Sequence, residues 1–429
     1  MSTNIQEVVT DIKKAGYIRW TILVVMFLIF IVAYIDRANT IVLVADTAFT
    51  DAFGITGDRA TQGLLMTSFL LVYGICNVLV GPVVDRLGAR KALVFSAFSW
   101  AAILGFMGAV SALPLLLLGR GLLGVGESPM GPANGRIIQG WFPIQERGKA
   151  NSVWFVGILL APAVAMPFIA WLISAFGWRG SFFALALVGL IPAFLVLLYL
   201  YNSPQEHPRI SKAELEYITV NLEVEKASKA DQSDKASIDF SWLKNGYYWL
   251  IVLGFSMFNV FCWGISSWIP VYLKTTLGFS WMAMGWMSAL PYLLGTVAVL
   301  SVGYFVDRTN KRAPFVFIGL IAGGIFTYLG TNAQSSVAAT VLISCAMAAV
   351  WTSGPSWFTM LMNTVPSKGM ASAYGLMNGI GFFFAAFSPV LLGWMANNLA
   401  GGFKSGFIFM ILALVLAAIV VIPLMKRRF

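Results

Sequence analysis

Long apolar stretches, each about long enough to cross a lipid bilayer, recur along almost the whole chain and are separated by short polar stretches. About twenty consecutive apolar residues form a helix that spans the hydrocarbon core. The pattern predicts an all-α membrane protein with twelve transmembrane helices, arranged as two six-helix halves around a central cavity. The predicted helices are residues 18–46, 60–84, 92–111, 113–137, 149–173, 179–201, 247–273, 282–306, 314–333, 337–364, 369–398 and 405–425.

A polar stretch at residues 201–244 divides the chain and is much longer than the other loops. We expect a first six-helix half over residues 1–200, a cytoplasmic linker over residues 201–246 and a second half over residues 247–429. The linker is too small to form a catalytic domain. Its role is therefore to join the two halves.

Part of the linker has the sequence of a short helix. Ser211 and Glu214 have the spacing of a capping box, in which a hydroxyl and a carboxylate satisfy the first amides of a helix. An amphipathic helix through Leu215 and Ile218 should follow. The polar residues 226–235 have the composition of a flexible linker.

Composition supports a membrane protein and excludes a soluble domain. Hydrophobic residues make up 59% of the 429 residues and charged residues 11%, with a mean hydropathy of +0.81; a water-facing surface needs far more charge. The net charge of +10 is spread over short loops between the apolar stretches. This distribution is typical of membrane topology, so the expected partner is the lipid bilayer and not nucleic acid.

Basic residues predict the orientation, because loops on the cytoplasmic side carry the excess of Lys and Arg. In a twelve-helix count, most basic loop residues fall on one side, and both termini fall there too. We therefore expect a multi-pass protein of the plasma membrane, the inner membrane of a bacterium, with cytoplasmic termini. The basic residues on this side include Lys13, Lys14, Arg19, Arg86, Arg90, Lys91, Arg136, Arg147, Lys149, Arg308, Lys311, Arg312, Lys426, Arg427 and Arg428; the opposite loops carry Arg59, Arg179, Lys274 and Lys404.

Neither cysteines nor the N-terminus suggests further chemistry. Cys76, Cys262 and Cys345 lie in separate apolar stretches without the spacing of metal ligands, so we expect no disulfide and no metal. Residues 1–16 are polar and lack the cleavage site of a signal peptide, so the first span should be retained.

Four charged residues lie inside apolar stretches. Asp36 and Arg37 are adjacent in the first helix, and Arg120 and Glu127 share one face of the fourth, since seven residues are almost two helical turns. Each such group costs roughly 2.5–3.5 kcal/mol at the bilayer centre on insertion scales. They are either structural ion pairs, Asp36 with Arg37 and Arg120 with Glu127, or a site that holds an anion and moves a proton.

A repeated motif indicates internal duplication. The pattern G-x-x-x-D-R-x-x-x-R occurs at residues 81–90, at the end of the second helix, and again at residues 303–312, at the end of the eighth. Internal duplication with a substrate held between the halves is characteristic of secondary transporters.

The chain resembles the major facilitator superfamily, whose loop signature G-x-x-x-D-R-x-G-R-[RK] matches residues 81–90 except at Ala89. The resemblance implies the major facilitator fold and a charge cluster that closes the cytoplasmic side while the transporter faces outward. In that cluster a carboxylate lies at a helix N-terminus and arginines bridge to acids of the other half. The implied gating residues are Gly81, Asp85, Arg86, Arg90, Asp307 and Arg308.

More narrowly, residues 34–39, 126–129 and 141–147 resemble the anion:cation symporter family, with the W-F-P-x-x-E-R sequence the most specific part. That family includes bacterial galactonate, glucarate and hexuronate transporters and, more distantly, vesicular glutamate and lysosomal sialic acid carriers. The resemblance implies proton-coupled uptake of a carboxylate, most simply a sugar acid such as a hexonate, hexuronate or aldarate. No cofactor is expected, because the proton gradient drives the cycle.

The same resemblance assigns roles to the charged residues. Asp36 and Glu127 are the implied protonation sites, and Arg37 and Arg120 lie near the carboxylate of the substrate. Burial favours the neutral form of Glu127, whereas a nearby arginine favours the carboxylate, so this group is poised to exchange a proton. Arg120 has an alternative role as a partner that only neutralises an acid.

One position departs from the family. Galactonate-type members carry a glutamine in the fifth helix that contacts substrate hydroxyls, and here Trp154 occupies that position. An indole can stack on a sugar acid but offers little to its hydroxyls. A less hydroxylated or aromatic carboxylate is therefore the alternative substrate.

Uncharged residues on the same helices complete the candidate substrate site. The hypothesis includes an asparagine of the eleventh helix that sugar-acid members also carry, together with aromatic and amide residues near the charged group. These residues are Tyr34, Asn39, Tyr73, Trp357 and Asn378.

Three other functions compete with that of a symporter. A multidrug exporter for cationic compounds conflicts with two buried arginines, Arg37 and Arg120. A membrane enzyme is disfavoured because the single histidine, His207, lies in a loop. A non-transporting solute sensor could signal only through residues 201–244. The protein is expected to be a monomer.

Overall fold

A computed structural model of the chain describes residues 16–230, 241–309, 311–365 and 370–426, and no β-strand occurs among them. Twelve membrane-spanning helices form two groups of six, as the apolar stretches predicted. Helices α1 to α4 are Ile18–Leu43, Arg59–Leu79, Ala89–Ala109 and the two-part Leu113–Glu127 with Met130–Trp141; α5 and α6 share Ile144–Val188, and α6 ends with Leu190–Tyr199. Helices α7 to α12 are Gly246–Val271, Trp281–Thr309, Ala313–Thr331, the two-part Ser336–Trp351 with Gly354–Met362, Met370–Asn398 and Phe403–Lys426.

The structure adds breaks and bends that the apolar pattern did not predict. Helices α5 and α6 run on without a loop, because Gly177 turns the chain with a φ of +70°, a value that glycine adopts without strain. Helix α4 is interrupted at Ser128 and Pro129, and α10 at Thr352 and Ser353. Because α4 is broken and α5 continues into α6, only ten stretches of the described chain count as single apolar spans, and the interrupted α10 is one of them.

Two helix pairs join the halves. Helix α2 packs along α11, and α5 packs along α8. The first pair approaches closely at Gly63, where a Cβ atom would lie 2.7 Å from the Cα of Val390. A Cβ atom at Gly393 in α11 would lie closer still to the backbone of Arg59, so the two backbones touch where these glycines cross.

We call the end of the bundle that carries Arg86 and Arg90 the basic end, and the other end the opposite end. Direct hydrogen bonds between the two halves that are seen among the described residues lie at the opposite end. At the opposite end the Arg59 guanidinium donates to the carbonyl of Ala396 at 3.1 Å. The Trp281 indole donates to the carbonyl of Ala170 at 2.7 Å. The halves are thus tied together at the opposite end.

The predicted linker helix is present and spans Lys212–Ala230. One half of the predicted capping box forms, because the Ser211 hydroxyl accepts a hydrogen bond from the amide of Glu214 at 3.1 Å. The Glu214 carboxylate binds amides of α1 and not the start of its own helix. The expectation of a flexible segment over residues 226–235 is wrong for residues 226–230, which continue the helix; the others lie outside the described residues.

The linker helix is fixed to the first half through a buried carboxylate. Glu214 is fully buried and accepts hydrogen bonds from the amides of Ile18 and Arg19, both at 3.1 Å. The Arg19 guanidinium donates to Glu214 at 3.0 Å and to Glu146 of α5 at 2.8 Å. A carboxylate at the N-terminus of α1 also interacts favourably with the helix dipole. The linker helix, α1 and α5 therefore form one unit at the basic end.

Candidate functional site

The four charged residues of α1 and α4 are all buried, and they come together in the first half. Asp36 is 1% exposed, Arg37 7%, Arg120 2% and Glu127 0%. Two acids and two bases cancel in formal charge, which is the arrangement that makes buried charge tolerable. None of the four side chains faces lipid. Exposure of these charges to lipid would have contradicted a site in this position.

The ion pair in the structure is not one of the two that the sequence suggested. The Arg37 Nε of α1 donates to the Glu127 Oε2 of α4, across a separation of 90 residues. Glu127 is the last residue before the break in α4, so its carboxylate lies where the helix changes direction. Its second oxygen, Oε1, has no hydrogen-bond partner among the described residues.

Asp36 is buried without a hydrogen-bond partner among the described residues. Neither of its carboxylate oxygens accepts a hydrogen bond within the described chain. Its electrostatic neighbours are Glu127, which repels it, and Arg37, which attracts it. A buried carboxylate without hydrogen bonds is far less favourable than a neutral carboxyl group, so this position is suited to holding a proton.

Arg120 lies beside the pair without joining it. Its Nε donates to the carbonyl of Leu65 in α2 at 2.9 Å, and its guanidinium lies 4.9 Å from the ring centre of Phe69. Its Nη1 has no partner within the described residues. Arg120 therefore keeps an unpaired donor within the described chain and interacts electrostatically with Glu127 and Arg37.

Aromatic rings of α2 support both arginines. The Arg37 guanidinium lies 4.6 Å from the ring centre of Tyr73 and 5.4 Å from that of Phe69, and the two rings stack at 5.6 Å. Such cation–π contacts stabilise a desolvated arginine. Phe69 was missed in the sequence, although a residue four positions before Tyr73 occupies the same helix face.

The four buried charged residues, which we call the charged group, lie close to the second half of the protein. Tyr34 of α1 is buried and interacts with Tyr292 of α8 and Cys262 of α7. The Tyr73 ring meets the edge of Phe382 in α11 at 5.6 Å. The site is therefore at the interface between the halves, as expected for a substrate site of a duplicated transporter.

Three predicted lining residues have mainly local contacts. Asn39 is fully buried and accepts a hydrogen bond from Ser181 in the same half at 3.3 Å. Trp357 is fully buried and packs on Gly254 of α7. Asn378 shares a hydrogen bond with Tyr374 on its own helix. Trp154 lies in the α5 run, but its side chain is outside the described residues.

The first motif at the basic end binds within its own half. Gly81 begins a short helix, Gly81–Leu87, and Asp85 forms an ion pair with Arg136 of α4 at 2.8 Å. The Arg90 guanidinium donates to the carbonyl of Leu197 at 2.7 Å and lies over Tyr201. The predicted bridge from Arg90 to acids of the second half is thus not the arrangement in this structure.

The remaining gating residues are at the surface or outside the described set. The side chain of Arg86 is exposed, and Arg308 is exposed with its guanidinium 4.9 Å from the ring centre of Tyr304. The side chain of Asp307 is outside the described residues. Within the described chain, no group of three or more His, Cys, Asp or Glu residues is placed to hold a metal ion.

Comparison with known proteins agrees with the fold. Residues 26–389 match the sequence profile of the Major Facilitator Superfamily, and the chain belongs to that superfamily; it is a transporter-type membrane protein and not an enzyme. It is 28% identical over 400 residues to the "Probable L-galactonate transporter" of Escherichia coli K12, covering 91% of this chain and 85% of that protein. It is 26% identical over 416 residues to the "Probable galactarate/D-glucarate transporter GarP" of the same organism, covering 92% of each.

A solved structure shows the same fold. The bacterial homologue of the human lysosomal transporter Spinster, in an inward-facing and unoccupied conformation, superimposes with a TM-score of 0.77 at 16% identity, covering 96% of this chain and 98% of that one.

Proposed function

We propose that this protein is a proton-coupled symporter that takes up an organic anion of the sugar-acid class by alternating access. Relatives named as galactonate and galactarate/glucarate transporters support the substrate class. The buried charged group at the interface between the halves supports the coupling. No redox centre or nucleotide site is needed, because the proton gradient supplies the free energy.

The observation that carries the proposal is the Arg37–Glu127 pair with Asp36 buried and unpartnered beside it. Guanidinium is the side chain best suited to bind a carboxylate, through two parallel hydrogen bonds. In this structure the Glu127 carboxylate accepts from one nitrogen of that donor set, the Arg37 Nε. A substrate carboxylate can take its place only if the charge on Glu127 is removed.

Protonation removes that charge. When Glu127 gains a proton, its attraction to Arg37 falls, and the guanidinium becomes available to the incoming anion. Substrate carboxylate and Glu127 carboxylate then compete for the same donor, so proton and anion bind together. One proton with one monocarboxylate leaves the buried charge unchanged, which avoids the cost of carrying net charge through a low-dielectric site.

The proposal assigns the basic end to the cytoplasm of a bacterial cell and the opposite end to the outside. The contacts of Arg59 and Trp281 then close the outer side. Breaking them, while the basic end closes, would open the site outward. The exposed Arg86 is available for a contact at the basic end in that second conformation.

The test is uptake by purified protein in proteoliposomes with an imposed pH gradient, inside alkaline. Labelled galactonate should accumulate against its gradient, and dissipating the pH gradient with a protonophore should abolish accumulation. Binding of galactonate without uptake would support the solute-sensor alternative, and uptake that ignores the pH gradient would refute proton coupling.

A further inference from the structure

The contact between the charged group and the second half is aromatic. From Arg37, the contacts pass to the ring of Tyr73 at 4.6 Å, to Phe382 of α11 at 5.6 Å, and on to Trp263 of α7 at 6.1 Å. Phe382 and Trp263 are both partly buried. A carboxylate held at Arg37 would therefore place its carbon chain beside these two rings.

The position of Phe382 is fixed by a glycine of the other half. A Cβ atom at Gly74 in α2 would lie 3.2 Å from the Cβ of Phe382, closer than an ordinary contact. The absence of a side chain at Gly74 lets the phenylalanine lie directly against α2. Phe382 is thus held at the interface and beside Tyr73, where it can contact a bound anion.

Two polar side chains of α7, the helix that carries Trp263, donate hydrogen bonds to the backbone of that helix. The Ser256 hydroxyl donates to the carbonyl of Val252 at 2.7 Å, and the Asn259 amide to that of Phe255 at 2.8 Å. The proton that each group donates is therefore bound to its own helix, and the Asn259 amide keeps one further N–H. Trp351 and Trp357 differ, because neither indole N–H has a partner among the described residues.

We infer that Phe382 and Trp263 are specificity-determining residues that bind the carbon chain of the anion by stacking and apolar contact. The inference rests on the proposed function. Its consequence is weak discrimination between acids that differ only in the configuration of a hydroxyl group. A site that hydrogen-bonds a particular hydroxyl can reject the wrong substrate by 10⁴-fold or more, whereas apolar contact discriminates by about 10–200-fold for a whole methylene.

The experiment compares two epimers, D-galactonate and D-gluconate, in the full-length protein. Binding is measured by ligand-induced shifts of the melting temperature in detergent, and KM by uptake in proteoliposomes. The wild type should bind the two acids with dissociation constants within about tenfold of each other. Phe382→Ala should weaken both by a similar factor of about ten, which corresponds to loss of one aromatic contact.

Two further variants separate contact from folding. Phe382→Tyr, which keeps the ring, should retain the binding of both acids. Phe384→Ala provides the matched control, because Phe384 is 46% exposed and, two positions along the same helix, lies about 200° around the helix axis from Phe382. Its dissociation constants should equal those of the wild type.

Each result bears on the inference. A wild-type preference of more than about tenfold between the epimers, or a Phe382→Ala effect on only one of them, overturns it. So does failure of the wild type to bind either acid. Binding of both acids without uptake driven by the pH gradient overturns the proposed function and leaves this inference standing.

Discussion

The pair between Arg37 and Glu127 makes a sharp prediction for the substitution Glu127→Gln. The amide of glutamine has nearly the shape of a protonated carboxyl group but cannot lose a proton. In the variant, Arg37 loses its hydrogen-bonded carboxylate, and the remaining acid beside it, Asp36, has no hydrogen-bond partner in the described chain. The site should therefore stay in the form that accepts the anion, and substrate binding should no longer depend on protonation.

The expected accumulation ratio of the substrate follows from the number of protons coupled to each anion. One pH unit corresponds to about 1.36 kcal/mol per proton, which is a tenfold ratio of concentrations. With one proton coupled to each neutralised carboxylate, a gradient of one pH unit supports about tenfold accumulation in the wild type. If Glu127 is the coupled group, the ratio in the variant falls to about one.

The assay uses two measurements on the same proteoliposomes. Net accumulation of labelled galactonate under a gradient of one unit reports coupling, and counterflow exchange without a gradient reports binding and conformational change. Glu127→Gln should lose the first and keep the second. Glu146→Gln is the matched control, because Glu146 also pairs with an arginine of α1, at the basic end and outside the site; this variant should still accumulate substrate about tenfold.

Two results would refute this reasoning. Tenfold accumulation by Glu127→Gln would show that the coupled proton binds elsewhere. Loss of both accumulation and counterflow, in a variant that folds normally, would show that the Arg37–Glu127 pair is structural. The second result would restore the simpler interpretation of the buried charges as ion pairs between helices.

Three further predictions concern the contacts that hold the conformation. Arg59→Ala removes a hydrogen bond between the halves and should increase labelling of Cys262, which interacts with Tyr34, by membrane-impermeant reagents added outside. Arg179→Ala removes bonds within the first half and should leave this labelling unchanged, and equal labelling of the two variants would contradict the outer contact. Glu214→Gln weakens charge-assisted hydrogen bonds to α1 and should cost about 1–3 kcal/mol, seen as a lower melting temperature, and an unchanged temperature would show that the linker helix is not anchored there. Gly393→Val should push α11 away from the backbone of Arg59 and favour the outward-open state, which the same labelling assay would detect. Gly375→Val is the control, because a Cβ there meets nothing within 4 Å, and it should not change the labelling. Equal labelling of the two variants would argue against close packing at Gly393.

The motif at the basic end illustrates how a signature can be present while its contacts differ. Asp85 and Arg90 occupy the expected positions, yet both bind groups of their own half. The hydrogen bonds of Arg59 and Trp281 tie the halves at the other end. In a two-state transporter the same residues exchange partners as the halves rock, so the contacts of one conformation show only part of their role.

The sequence by itself determined the number of spans, the duplication and the presence of Asp36, Arg37, Arg120 and Glu127 within apolar helices. The physical reason is that bilayer thickness sets the length of each apolar run, and hydrocarbon makes any charge within it conspicuous. The capping of the linker helix by Ser211 was equally local, since it depends on residues three positions apart.

Only the tertiary structure decided which charge pairs with which. Arg37 joins Glu127, 90 residues away, and not its neighbour Asp36, while Glu214 reaches the start of α1 across 195 residues. The contact of Phe382 with Tyr73 also depends on the packing of α11 against α2. Helical periodicity gives the face on which a residue lies, but which helix covers that face follows from packing between segments distant in the chain.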